Sequence, residues 1–188
     1  MAIAGHSGDV NSARAALGHS DPAIRATAIA ALERLGELAA SDLATAFSDQ
    51  SPLVRRRAAE VAAAHDEPSL LELLSDGDPS VVEVAAWSAG ERQVPKVDLI
   101  DTLCSIASTH DDALCRESAV AALGAIGDQR GLDTILSAMS DKAPVRRRAV
   151  LALAPFEDSR AEEAISAALG DRDWQVRQAA EDLGGQQS

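Results

Sequence analysis

The sequence predicts an all-α solenoid of about six antiparallel helix pairs wound into a superhelix, and three observations carry that reading. A pentad recurs six times, alanine dominates a composition nearly free of aromatic residues, and Asp-Pro or Ser-Pro pairs open several of the recurring segments. The pentads are Asp21-Pro22-Ala23-Ile24-Arg25, Ser51-Pro52-Leu53-Val54-Arg55, Asp78-Pro79-Ser80-Val81-Val82, Asp112-Ala113-Leu114-Cys115-Arg116, Lys142-Ala143-Pro144-Val145-Arg146 and Asp173-Trp174-Gln175-Val176-Arg177. Their last residues step by 30, 27, 34, 30 and 31 residues, and each is followed three residues later by alanine, from Ala28 to Ala180. A self-similar period of about 30 residues marks a stacked-repeat architecture, in which one unit alone cannot bury its apolar face.

Each unit reads as two helices. Asp21 and Asp78 are N-caps with proline at the first helical position, where a missing N–H costs nothing, and Ser51-Pro52 repeats the device. Ile24, Ala28, Ala31, Leu32 and Leu35 follow the three- and four-residue spacing of one apolar face. Gly36, Gly90, Gly124 and Gly127 are expected to end their helices. Second amphipathic segments are expected over 38–47, 68–74, 95–107, 131–139 and 161–169, and a partial first pair starts near Asp9. Residues 1–8 and 186–188 lack both periodicity and caps, so mobile tails are expected around a repeat domain spanning 9–185.

Composition agrees and excludes several classes. The 188 residues include 39 alanines, 2% aromatics and no tyrosine, which favours helix over sheet. A mean hydropathy of -0.05 with 25% charged residues fits neither a disordered tail nor a membrane protein. With no basic leader and no long apolar run, the chain is expected to be soluble and cytoplasmic. The formal charge of -13 opposes generic attraction to phosphate backbones or anionic lipid. Two cysteines, Cys104 and Cys115, are too few for a disulfide framework and have no histidine at zinc-ligand spacing.

The repeated pattern of aspartate or serine, proline, valine, arginine, then alanines and a leucine-glycine resembles the HEAT repeat in the short form shared with phycobilin lyases, from about Asp9 to Gly185. The resemblance implies that the motif helix of each pair lines a concave side and that its arginine pairs with an acidic residue near the preceding turn. Arg25, Arg55, Arg116, Arg146 and Arg177 would then form a structural ladder, with Asp49, Asp76 and Asp171 as candidate partners. Val82 interrupts it.

No catalytic motif is present: there is no Gly-x-Ser-x-Gly elbow, phosphate loop, dinucleotide fingerprint or His-Glu-x-x-His. His6, His19, His65 and His110 lie at the terminus or at expected helix ends, out of helical spacing with one another, and read as capping or solvated residues. HEAT-type deoxyhypusine hydroxylases use His-Glu pairs that are missing here. Cys115 replaces the motif valine and Cys104 lies on an apolar face, so both read as core. A non-enzyme is expected, with no cofactor and no metal.

Charge distribution suggests the binding surface. The six motif windows sum to +3 and the remainder to -16. Beyond the ladder, Arg56, Arg57, Arg147 and Arg148 form two clusters, and Trp87 and Trp174 occupy positions that the resemblance turns toward the groove, with Glu91 four residues beyond Trp87. Tryptophan and arginine are frequent interface anchors. The competing reading has Trp87 filling a packing gap and Trp174 covering the C-terminal end. The expected function is a non-catalytic scaffold or adaptor holding another protein or peptide, acidic or amphipathic, with no membrane and no nucleic acid as partner. Two alternatives follow from the resemblance alone: a DNA-alkylation-repeat-like base glycosylase and a phycobilin-lyase-like tetrapyrrole-binding helper.

Overall fold

The computed structural model describes residues 9–92 and 97–185. Among them are twelve α-helices and no strand: α1 (Val10–Ala16), α2 (Pro22–Leu35), α3 (Ala40–Phe47), α4 (Pro52–Val61), α5 (Leu71–Leu74), α6 (Pro79–Glu91), α7 (Val97–Thr109), α8 (Ala113–Ile126), α9 (Leu132–Ala138), α10 (Ala143–Ala152), α11 (Ser159–Ala168) and α12 (Trp174–Gly185). The even-numbered helices carry the pentad. The expected tails, 1–8 and 186–188, lie outside the described residues, as do Pro95 and Lys96.

Helix starts follow local chemistry. The Asp21 and Asp112 side chains accept the amide hydrogens of Ala23 and Leu114 at 2.8 Å, and Asp78 and Asp173 accept those of Ser80 and Gln175 at 2.9 Å. Ser51 departs from this pattern: its hydroxyl caps nothing, and its own amide donates to Asp49 at 2.8 Å. Gly36 and Gly127 end α2 and α8 in the left-handed region, at φ of 68° and 67°. Gly90 and Gly124 do not end helices, contrary to expectation; they lie inside α6 and α8. A Cβ on Gly124 would sit 2.6 Å from the Ala152 Cα, and one on Gly90 2.8 Å from the Ala122 Cα. Both glycines are there because neighbouring motif helices touch backbone to backbone.

The chain forms two compact units, the first ending at Ser88 and the second starting at Ala89. In the first, α2 packs on α1 and α4, and α3 packs on α4. Ile29, Leu32, Leu43, Phe47, Val54, Leu70 and Leu73 are buried there. In the second, α8, α10 and α12 make one layer and α7, α9 and α11 the other, joined within each pair. Leu103, Leu123, Leu132, Ile135, Val150 and Leu153 fill the space between them. The residue before each ladder position is buried at Val54, Val81, Cys115, Val145 and Val176, which places Cys115 in the core as expected. Ile24 stands at the same position but is 39% exposed, because no motif helix precedes α2 among the described residues. Cys104 is partly exposed rather than enclosed, with its Sγ 3.9 Å from the Arg130 carbonyl.

The close approach at Gly124 yields a direct test. Because the atom opposite belongs to backbone, Gly124→Ala is expected to destabilise the chain by about 1–3 kcal/mol in chemical denaturation. Gly170→Ala, whose Cβ meets nothing closer than 3.6 Å, should leave the denaturation midpoint nearly unchanged.

Candidate functional site

Four of the five ladder arginines are held as bidentate forks. Arg25 donates through Nε and Nη2 to Asp49 at 2.8 and 2.7 Å, and Arg55 donates likewise to Asp76 at 2.6 and 2.8 Å. Arg116 holds Asp141 at 2.6 and 2.8 Å, and Arg146 holds Asp171 at 2.9 and 2.7 Å. The direction corrects the expectation. The carboxylate belongs to the turn of the following repeat, while the preceding turn supplies carbonyls: Nη1 donates to the carbonyl oxygens of His19 (2.8 Å), Asp49 (2.8 Å), His110 (2.7 Å), Asp141 (2.8 Å) and, from Arg177, Asp171 (2.8 Å). Asp49 thus joins two arginines, Arg25 through its carboxylate and Arg55 through its carbonyl.

Those aspartates also brace their own turns. Oδ1 of Asp49, Asp76 and Asp171 accepts the amide hydrogen two residues on, at 2.8, 2.8 and 2.7 Å. At Asp49 and Asp141 the arginine hydrogen bonds lower the carboxylate pKa. At Asp76 burial pushes upward, but the bonds from Arg55 and the Asp78 amide prevail, and the value still falls. Asp171, held by Arg146 and the Asp173 amide, is lowered to about 2.

The interruption at Val82, which is buried, has a counterpart one repeat later. The turn position filled by Asp49, Asp76 and Asp171 is His110 in the fourth repeat and His19 in the first. Both rings accept the amide two residues on through Nδ1, from Asp21 at 3.0 Å and from Asp112 at 3.1 Å. At His110 a ring nitrogen thus takes the place of the aspartate Oδ1, one repeat after the ladder position held by Val82. His65 instead pairs with Glu33 at 2.7 Å.

The residues expected to bind a partner separate into two groups. Arg57 is engaged by Glu60 at 2.6 Å, and Arg148 lies 3.5 Å from Glu117 of α8. Arg56 and Arg147 are exposed and make no ion pair or hydrogen bond among the described residues. Trp87 is 45% exposed on α6, where Glu91 is exposed too, and Trp174 is 64% exposed at the start of α12. In the second unit the structure brings two of these residues together. Arg147 and Leu151 of α10 face Trp174, Gln178 and Asp182 of α12 across an open groove of about 290 Å³. Gln178 donates to Asp182 at 2.8 Å, which orients that carboxylate and leaves its charge, so the groove carries one cation, Arg147, and one anion, Asp182.

Sequence reasoning missed Leu151, Gln178 and Asp182. Their signal was helical spacing: Trp174, Gln178 and Asp182 succeed one another at i+4, as do Arg147 and Leu151.

A family model described as HEAT repeats matches residues 67–154, and one described as PBS lyase HEAT-like repeat matches residues 145–171, together more than half of the chain. The chain belongs to the HEAT-repeat family. No curated protein matches this HEAT-repeat chain. Among solved structures, an engineered protein is similar at 20% identity, covering 94% of this chain and 97% of its own, with a TM-score of 0.69. A designed armadillo repeat protein in complex with the peptide (KR)4 aligns at 15% identity over 95% of this HEAT-repeat chain and 99% of its own, with a TM-score of 0.70. A second designed armadillo repeat protein aligns at 17% identity over 93% and 98%, with a TM-score of 0.65. At such identities the likeness is one of fold, that of the all-α repeat solenoid. Among the described residues no helix is long and apolar enough to cross a membrane.

The ladder gives two expectations. Arg146→Ala removes a bidentate partner from a partly buried carboxylate, so a loss of about 2–4 kcal/mol should appear in thermal or chemical denaturation, against less than about 0.5 kcal/mol for Arg147→Ala. The pH dependence follows from the depressed aspartates. A carboxylate with a lowered folded pKa contributes its full stability above the unfolded value of about 4 and loses it as pH falls through the folded value. Denaturation midpoints of wild type should therefore fall between about pH 4 and pH 2, and the Asp171→Asn variant should show a shallower fall.

Proposed function

We propose that this chain is a non-catalytic HEAT-repeat scaffold that binds a segment of another protein in the groove between α10 and α12. One observation carries the reading: Arg147 is an exposed cation with no partner among the described residues, beside a tryptophan that is 64% exposed, in a fold whose other arginines are largely tied to carboxylates. An unpaired guanidinium offers a fork to a carboxylate. Trp174 and Leu151 offer apolar contact next to it, and Gln175 and Gln178 carry amides suited to an extended backbone. The segment that fits has an Asp or Glu close to a large apolar side chain. The designed armadillo neighbour supports the general mode, since it is found in complex with a peptide, (KR)4; that peptide is cationic, whereas the cation here belongs to the groove.

Selection of peptides from a random display library on the folded chain tests this. Recovered sequences should pair Asp or Glu with Leu, Ile, Phe or Trp. Trp174→Ala and Arg147→Glu should each weaken a selected peptide by about tenfold or more, as for an interface anchor. Only the arginine contribution should fade as salt rises, and Asp101→Ala on α7 should change nothing. Recovery of basic peptides indifferent to Arg147 would overturn the reading.

A further inference from the structure

We propose that the outer side of the last helix pair, α11 and α12, docks a basic amphipathic helix of a partner protein. Two adjoining open grooves lie there, of about 500 and 550 Å³, sharing Glu162, Ile165 and Leu183. Their apolar floor arises from the repeat itself. In the preceding pair, Ile135 is fully buried and Met139 packs against the cluster formed by Ala168, Val176 and Ala180. The equivalent residues thirty positions on are Ile165 and Leu169. Ile165 is only partly buried and Leu169 is 49% exposed, because no described helix covers α11 as α11 covers α9. A helix face that only met water would carry polar residues at these positions. Here they remain apolar, and the spacing of Ile165 and Leu169 is that of one helix face seeking another.

The rim decides what kind of helix fits. Glu157, Asp158, Glu162 and Glu181 line the two grooves and no cation does. Asp158 is neutralised by Arg160 at 3.1 Å, whereas the side chains of Glu157, Glu162 and Glu181 have no ion pair or hydrogen bond among the described residues. Glu162 stands where the preceding repeat has the buried Leu132, so a carboxylate has replaced apolar surface at one position while Leu169 has been kept at another. An apolar strip bordered by uncompensated carboxylates complements a helix with leucines on one face and lysines or arginines on its flanks. Such a helix would lie on α11 and α12 much as α11 lies on α9.

Fluorescence anisotropy of the full chain tests this with a labelled Leu/Lys peptide of about 18 residues, its leucines at i, i+3, i+4 and i+7, and a scrambled peptide of the same composition. The amphipathic peptide should bind at least about tenfold more tightly than the scrambled one. Leu169→Ser, and separately the pair Glu162→Gln with Glu181→Gln, should each weaken it by about tenfold, a common effect at a contact centre. Trp174→Ala and Arg147→Glu should leave it unchanged, which separates this face from the α10/α12 groove. Circular dichroism confirms that each variant is folded. Equal binding of the scrambled peptide, or indifference to Leu169→Ser, overturns the proposal. So does a sedimenting dimer of the wild type that Leu169→Ser dissociates, because a second copy would then be the occupant.

Discussion

The two-pronged contact between the arginine of one repeat and the aspartate of the next turn is the constraint on which the rest of the structure depends. It ties together three things that sequence distance keeps apart: the motif helix that carries the arginine, the turn before it and the turn one repeat later. Where it is present, its geometry goes with one rotation of the motif helix. With the arginine directed at the turns, the residue before it faces the core, as at Val54, Cys115, Val145 and Val176, and the residue after it faces solvent at Arg56 and Arg147. The position of Arg147 in the groove is therefore a consequence of where Arg146 must point.

The same contact governs which charges are available to a partner. A chain with formal charge -13 would be expected to repel carboxylates. Several acids are spent internally, however, as N-caps or as partners of the ladder, and most ladder arginines are spent with them. Surface character is thus set by the leftovers, a cation beside Trp174 and uncompensated glutamates around Leu169. Net charge describes neither surface.

The architecture was legible because it repeats: six copies of one pentad specify the helix pairs, and Asp-Pro pairs specify where motif helices start. Ladder direction was not legible, since Asp49 lies six residues before Arg55 and twenty-four after Arg25, and sequence proximity favours the wrong partner. Asp141 escaped notice because its turn is one residue shorter than the others, placing it five residues before Arg146. Gly90 and Gly124 read as helix ends because a glycine needed for close approach and a glycine needed for positive φ are the same letter; only the three-dimensional neighbours, Ala122 and Ala152, separate them. The groove residues were partly legible. Trp174 and Arg147 stand out by type, while the engagement of Arg57 by Glu60 and of Arg148 by Glu117 depends on rotamers and on helix neighbours that the sequence does not display.

The histidine at turn position 110 and the valine at 82 have an evolutionary consequence. Repeats that carry both the aspartate and the arginine are interchangeable: removing the one from Asp49 to Arg55 would leave Arg25 facing Asp76 in the same register. The third and fourth repeats do not share that freedom. Losing only the third would leave Arg55 opposite a histidine, and losing only the fourth would leave Asp141 without its guanidinium, each an uncompensated charge at a partly buried position. Unequal recombination can therefore remove or duplicate the second or the fifth repeat singly, whereas the third and fourth are gained or lost without a stranded charge only as a couple.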